Sequence, residues 1–182
     1  GNHQSRVLEQ ALREQHIPYH LSGGTSFFER TEVKDLMCYL RLAVNPDDNT
    51  AFLRVVNTPR REIGVTSRGV IAQVAGRRHI SLFEAAQSAE CLSALKPRSA
   101  ESLRQFCRLL VDSGVGGERA DPFEAVIDLF MQINYEHWLR DETDNPHLAD
   151  LRVENMRELV SWLGRLNEET PELGLTDLMG RL

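Results

Sequence analysis

Six arginines, Arg54, Arg60, Arg61, Arg68, Arg77 and Arg78, fall within one short stretch that only Glu62 opposes. Guanidinium groups form charge-assisted, paired hydrogen bonds with phosphate oxygens, so such a run suits an anion. In its middle stands Asn57-Thr58-Pro59-Arg60-Arg61-Glu62-Ile63-Gly64, between one apolar helical pattern ending near Val56 and another opened by Thr66. A proline-containing hairpin ending in Ile-Gly delivers the chain into the start of the next helix. The unpaired amides there carry partial positive charge, and a glycine has no side chain to hold a backbone at a distance. The stretch therefore outlines helix, hairpin, helix, with Arg60, Arg61, Ile63, Gly64, Thr66 and Arg68 as candidate contacts to a duplex phosphate backbone. Thr66 is expected to cap the second helix and Gly64 to take a positive φ. A grip of this kind reads no base sequence. The plainer alternative is a solvated basic turn between two packed helices, with Ile63 as a plug into the core.

No catalytic constellation accompanies the hairpin. The chain has no G-x-x-x-x-G-K-[ST] phosphate loop, no H-E-x-x-H and no G-x-S-x-G elbow. Gly23-Gly24-Thr25-Ser26 is followed by no lysine at the required position and reads as a turn. His16 and His20 are four apart, but Pro18 breaks the helical face they would share, so no metal site is expected. Cys38, Cys91 and Cys107 are odd in number and widely spaced, which argues against a disulfide framework and fits a reducing cytoplasm.

The elements that must hold the hairpin are helices. Val33, Leu36, Met37, Leu40 and Val44 form a stripe from Thr31, closed by Asn45-Pro46; Asp47 or Asp48 caps a short helix carrying Phe52, Val55 and Val56. Val70, Ile71 and Val74 line the helix after the hairpin, which Gly76 is expected to end. Ser81 and Glu84 make a capping box, and Leu103, Phe106, Leu109 and Leu110 predict a further helix before Gly114-Val115-Gly116-Gly117. Asp121-Pro122-Phe123-Glu124 starts another, and Asn145-Pro146 opens the longest, with Leu148, Leu151, Met156, Leu159, Val160, Leu163 and Leu166 at helical spacing. Tyr135, Trp138 and Trp162 are expected as core anchors. Tyr19 to Leu21 predicts one short strand; a lone strand has nothing to pair with, so residues 1–34 read as a fragment of an α/β sheet. The fold class is mainly α: a helical subdomain over residues 35–182 preceded by that fragment.

Composition sets the limits. With 182 residues, 41% of them hydrophobic, the chain can build one real core, and it reads as a piece of something longer. No apolar run is long enough to span a bilayer, so no membrane partner is expected. The net charge of −6 is unevenly spread: residues 1–80 carry eleven Lys/Arg against eight Asp/Glu, and the remainder ten against nineteen. The acidic half allows a rival reading, a helical protein-interaction or autoinhibitory module without direct DNA contact.

The ordered set Gln4-Ser5-Arg6, Ile17-Pro18-Tyr19, Gly23-Gly24-Thr25-Ser26-Phe27-Phe28-Glu29-Arg30, Glu32-Val33-Lys34-Asp35, Tyr39-Leu40-Arg41, Asn45-Pro46-Asp47-Asp48 and Val56-Asn57-Thr58-Pro59-Arg60-Arg61-Glu62-Ile63-Gly64 resembles the Rep/UvrD family of superfamily 1 DNA helicases, most closely its Rep-type members. The likeness is dense to about residue 75 and thins to matches such as Asp150-Leu151-Arg152-Val153-Glu154-Asn155 beyond it. It implies a 3′ to 5′ ATP-driven translocase and helicase of replication and repair, acting on the nucleoid in a bacterial cytoplasm. This chain would hold the end of the first segment of the second RecA-like motor domain (2A, residues 1–34) and the helical 2B insertion (residues 35–182). The 2B insertion would serve as an accessory duplex-binding and regulatory subdomain. By the same resemblance Gln4, Ser5 and Arg6 lie near single-stranded DNA, and Arg60, Ile63, Gly64 and Thr66 near duplex backbone. ATP and Mg²⁺ belong to the parent protein outside this chain, which would carry no cofactor and no catalytic residue. Implied partners are a single strand/duplex DNA junction, the motor domains of the same polypeptide, and replication or repair proteins. One departure stands out: the family hairpin often reads Arg-Gly-Ile-Gly, and here Glu62 takes the place of the first glycine.

Overall fold

The computed structural model describes residues 24–117 and 121–169, and among them it contains helices and no strand. The expected strand at Tyr19 to Leu21 lies outside these residues. A 3₁₀ helix, Gly24–Glu29, stands where a glycine turn was expected and leads into α1, Thr31–Val44. α1 buries Val33, Leu36, Met37, Tyr39, Leu40 and Leu42 on more than one face, the mark of a helix with neighbours all round. It is the axis of the molecule. The expected division between residues 34 and 35 falls inside it.

α2, Asn49–Val55, starts where Asp48 accepts the Ala51 amide at 3.0 Å, and packs on α1 through Phe52 and Val55. After the hairpin, α3, Val65–Arg78, turns Ile71, Val74 and Ala75 inward. Gly76 does not end α3: the helix runs on to Arg78 and closes at His79, whose φ of 57° is left-handed. A single glycine weakens a helix by about 1 kcal/mol without breaking it, and here it falls inside the last turn. α4, Leu82–Ala86, has the expected Ser81 cap, its hydroxyl accepting the Glu84 amide at 3.1 Å. α5, Ala89–Ala94, was not anticipated; Ser88 caps it in the same manner.

α6, Pro97–Val111, lays Leu103, Phe106 and Leu110 into the core. α7, Pro122–Ile133, begins at Asp121, which accepts two amides, and stops at Asn134 (φ 56°), where the chain bends into α8, Tyr135–Glu142. α9, Pro146–Glu169, turns Ala149, Val153, Leu159, Trp162, Leu163 and Leu166 inward. Leu148 and Leu151 are about half exposed, so the apolar stripe enters the core one and two positions further on, through Ala149 and Val153.

One apolar cluster joins all these elements. Phe106 meets Tyr39 and Phe52 edge-on, and Phe28 meets Trp162 edge-on at 5.2 Å between centroids. Tyr135 and Trp162 are buried and Trp138 partly so, as expected of core anchors. Residues 24–34 are part of this same body: Phe27 and Phe28 are buried in it, and Arg30 donates to Asn155 on α9 at 2.6 Å. A polar seam runs beside them. Asp35 accepts Tyr135 at 2.6 Å and Arg54 at 2.9 Å, while Glu32 accepts Asn155 at 2.7 Å.

Candidate nucleic-acid interface

The hairpin is built on Asn57. Its side-chain oxygen accepts the amides of Arg61 at 2.7 Å and Ile63 at 3.1 Å, which closes residues 57–63 into a compact loop. Buried amides need such partners, and an asparagine at the first position of a turn supplies them. Thr58-Pro59 is a cis peptide within the loop. Tyr39, buried on α1, donates its hydroxyl to the carbonyl of Thr58 and is in reach of that of Val55 at 3.4 Å. Burial pushes the Tyr39 hydroxyl up to about 12, so it stays protonated and able to donate.

Ile63 is fully buried and draws the end of the hairpin against the core. Gly64 follows as the N-cap of α3, with φ −86° and ψ −161°. The expected positive φ is not there; it belongs to Glu62, at φ 62°. A Cβ added at Gly64 would meet nothing within 4 Å, so the space over this helix start is open. Thr66 does not cap α3. The helix begins one residue earlier, at Val65, and no side chain accepts its first amides. Thr66 and Val65 are exposed on the first turn, and Arg68 lies one turn in, half-buried.

The arginines divide sharply. Arg60 is an outward cation, its side chain 73% exposed and 3.7 Å from the Glu142 carboxylate. Arg61 turns inward. Its guanidinium donates to the carbonyls of Val55, Val56 and Pro59 at 3.0–3.2 Å and to the Tyr39 hydroxyl at 2.5 Å, and lies 4.8 Å from the Phe106 ring centroid. Arg54 pairs with Asp35, and Arg77 and Arg78 pair with Glu90 at the far end of α3. Of the hairpin's own two arginines, one faces solvent and one holds the loop together. Gln4, Ser5 and Arg6 lie outside the described residues.

Sequence reasoning missed three contributors. Asn57 and Tyr39 both stand in the stretches that carry the resemblance, but only Asn57 had a readable role, as a turn-forming residue; nothing in a helical stripe says which side chain reaches a loop some twenty residues on. The third is the start of α6. Ser99 donates to the Glu62 carbonyl at 3.1 Å, and Arg98, 85% exposed, pairs with the Glu62 carboxylate at 3.2 Å. These contacts tie the left-handed Glu62 to the start of α6 and bring a further arginine to its carboxylate. A groove of about 690 Å³ between hairpin, α6 and α7 is lined by Arg60, Arg61, Phe106, Arg108 and Gln132. The corner thus offers an open helix start and outward guanidinium groups, with the acids Glu62, Glu142 and Asp112 among them.

Among the described residues no three His, Cys, Asp or Glu side chains come together as metal ligands, and no helix is long and apolar enough to cross a membrane. Comparison with known proteins gives a consistent set. The family described as "UvrD-like helicase C-terminal domain" matches residues 1–180. The ATP-dependent DNA helicase Rep of Salmonella typhimurium is 43% identical over 100% of this chain and 27% of its own length. Its Escherichia coli counterpart is 44% identical over 92% of this chain and 25% of its own length. DNA helicase II of Escherichia coli is 38% identical over 95% of this chain and 24% of its own length. The chain spans about a quarter of the length of the curated relatives it matches.

Proposed function

The chain belongs to the UvrD-like helicase C-terminal domain family, and on that premise we propose that it is the accessory duplex-gripping part of an ATP-driven DNA helicase. In this reading the parent protein translocates on single-stranded DNA and unwinds duplex in replication and repair, in the bacterial cytoplasm. ATP and Mg²⁺ bind its motor domains outside this chain. Residues 1–34 are the fragment of the second motor domain, with Gln4, Ser5 and Arg6 beside the single strand. Residues 35–182 form the 2B subdomain, whose helix-hairpin-helix holds the duplex backbone at the fork.

The observation that carries this reading is the open start of α3: Gly64 with free space above it, an uncapped first turn, and Arg60 outward at its side. Phosphate oxygens accept from helix-start amides and are attracted by guanidinium groups, with no base contact required. Arg60, the backbone at Gly64 to Thr66, and Arg68 are the proposed contacts. Ile63 serves them by anchoring the turn. The acid nearby, Glu62, is occupied by Arg98 and weakens the grip. The pairing of Arg60 with Glu142 is solvent-exposed, and a pair of that kind yields readily to phosphate.

Anisotropy of a short fluorescent duplex tests this at two salt concentrations. Binding should be weak, on the order of 10⁻⁴ to 10⁻⁶ M, indifferent to sequence and steeply weakened by salt. Arg60→Ala should lower the affinity for every duplex alike and reduce the salt slope by about one. Unchanged affinity and slope in that variant would reduce the hairpin to a turn and favour the protein-interaction reading, whose apolar contacts resist salt.

A further inference from the structure

We propose that Arg61 is a positioning residue that shapes the hairpin for DNA, not a ligand of the phosphate; the inference rests on the duplex-gripping reading above. Four acceptors hold its guanidinium: the carbonyls of Val55, Val56 and Pro59, and the hydroxyl of Tyr39. None of these is a carboxylate. Val55 and Val56 end α2, where the last carbonyls have no partner within the helix and carry the negative end of its dipole. Arg61 therefore caps α2 from the hairpin, through a side chain six residues further along the chain.

Three consequences follow from that geometry. The guanidinium lies over Phe106, with Tyr39 as its other aromatic contact, so ring faces and carbonyl dipoles already surround the cation on the side that faces the core. Its link to Tyr39 is relayed: Arg61 donates to the hydroxyl, and the hydroxyl donates to the Thr58 carbonyl. Both arms of the loop, residues 55–56 and 58–59, are tied to one planar group. The loop's far end is tied to Asn57 through the amides of Arg61 and Ile63. Ile63 and Gly64 can then present the α3 start at one fixed place, with no adjustment needed when a phosphate arrives.

A planar fork is needed for this set of acceptors, and a lysine ammonium on a flexible stem does not span it. The decisive comparison is therefore Arg61→Lys and Arg61→Ala against the parent and against Arg157→Lys, in the 182-residue chain, by duplex anisotropy at a temperature where circular dichroism shows each variant fully folded. Arg157→Lys should bind close to the parent, because it keeps its charge and its exposed partners are Glu136 and Glu154, outside the hairpin. Arg61→Lys should lose about tenfold, nearly as much as Arg61→Ala, although its charge is intact. A purely global stabilising role would leave affinity unchanged under these conditions, and that result overturns the proposal. Near-parental binding by Arg61→Lys with a large loss in Arg61→Ala also overturns it, since that is the behaviour of a phosphate ligand.

If Arg61→Lys melts below the assay temperature, Tyr39→Phe removes only the hydroxyl relay and keeps every charge; a several-fold loss of affinity is expected, and none overturns the proposal. Should the parent itself fail to bind duplex, the gripping reading fails separately. Positioning is then read by hydrogen exchange: the Arg61 and Ile63 amides should exchange at least tenfold faster in Arg61→Lys while α9 keeps its protection. Unchanged exchange there would overturn it independently of DNA.

Discussion

Glu62 is the residue at which sequence and backbone disagree most. Its φ of 62° is a conformation that costs a residue with a Cβ about 1 kcal/mol or more, and it is held there by Ser99 on its carbonyl and Arg98 on its carboxylate. A glycine at this position would have a backbone reason, then, apart from any electrostatic one. Glu62→Gly should gain about 0.5 kcal/mol in chemical denaturation: the relief of left-handed strain exceeds the added unfolded-state freedom of glycine and the loss of an exposed ion pair. Duplex affinity should rise in the same variant, because an acid leaves the neighbourhood of the phosphate. Gly64 behaves oppositely. Its φ is negative and a methyl meets nothing, so Gly64→Ala should fold within about 0.5 kcal/mol of the parent. Any loss of duplex binding it shows then measures the approach of phosphate to the α3 amides and not damage to the fold.

At the scale of elements, what was legible depended on how local the signal was. Asp48, Ser81 and Asp121 announced their helices because a cap and its amide lie within four residues. α5 escaped notice because a six-residue helix has too few apolar positions to set a period, and Gly76 misled because a glycine inside a packed helix looks like one at its end. The inward turn of Arg61 was not readable at all: its partners come from α1, α2 and α6, and a run of arginines gives no hint of which one caps a helix behind it. The same holds for the seam at Asp35. Burial pushes its carboxyl above the ordinary 3.8 against the opposing pull of Tyr135 and Arg54. A folded pKa above the unfolded one means that ionising Asp35 opposes folding; its favourable contribution is complete below 3.8 and is lost as pH rises through the folded value. Arg54 offsets this only while Asp35 is charged. Arg54→Gln should therefore cost about 1–2 kcal/mol near pH 7, and the gap from the parent should close as pH falls through the raised pKa, measured by urea titration at several pH values.

For the molecule as a whole, the mainly α class and the hairpin's place between two helices were readable, because caps, proline stops and apolar stripes repeat along most of the chain. The way residues 24–34 join the helical body was not, since it depends on contacts between ends of the chain more than a hundred residues apart. Phe27 and Phe28 are buried, Phe28 stacks edge-on against Trp162 of α9, and Arg30 reaches Asn155 on the same helix. Residues 24–34, within the segment proposed as the tail of a motor domain, are thus also a wall of the helical core. Phe28→Ala removes a large buried side chain where α1 and α9 meet, and should destabilise the chain by about 3–5 kcal/mol, with the melting temperature falling accordingly. Trimming the chain to begin at Asp35 should be worse, because it cuts α1 after its first turn and uncovers Trp162 as well. If the trimmed chain melts as cooperatively and as high as the parent, the helical body is self-sufficient from residue 35, and the joint to the preceding segment is a hinge and not a shared core.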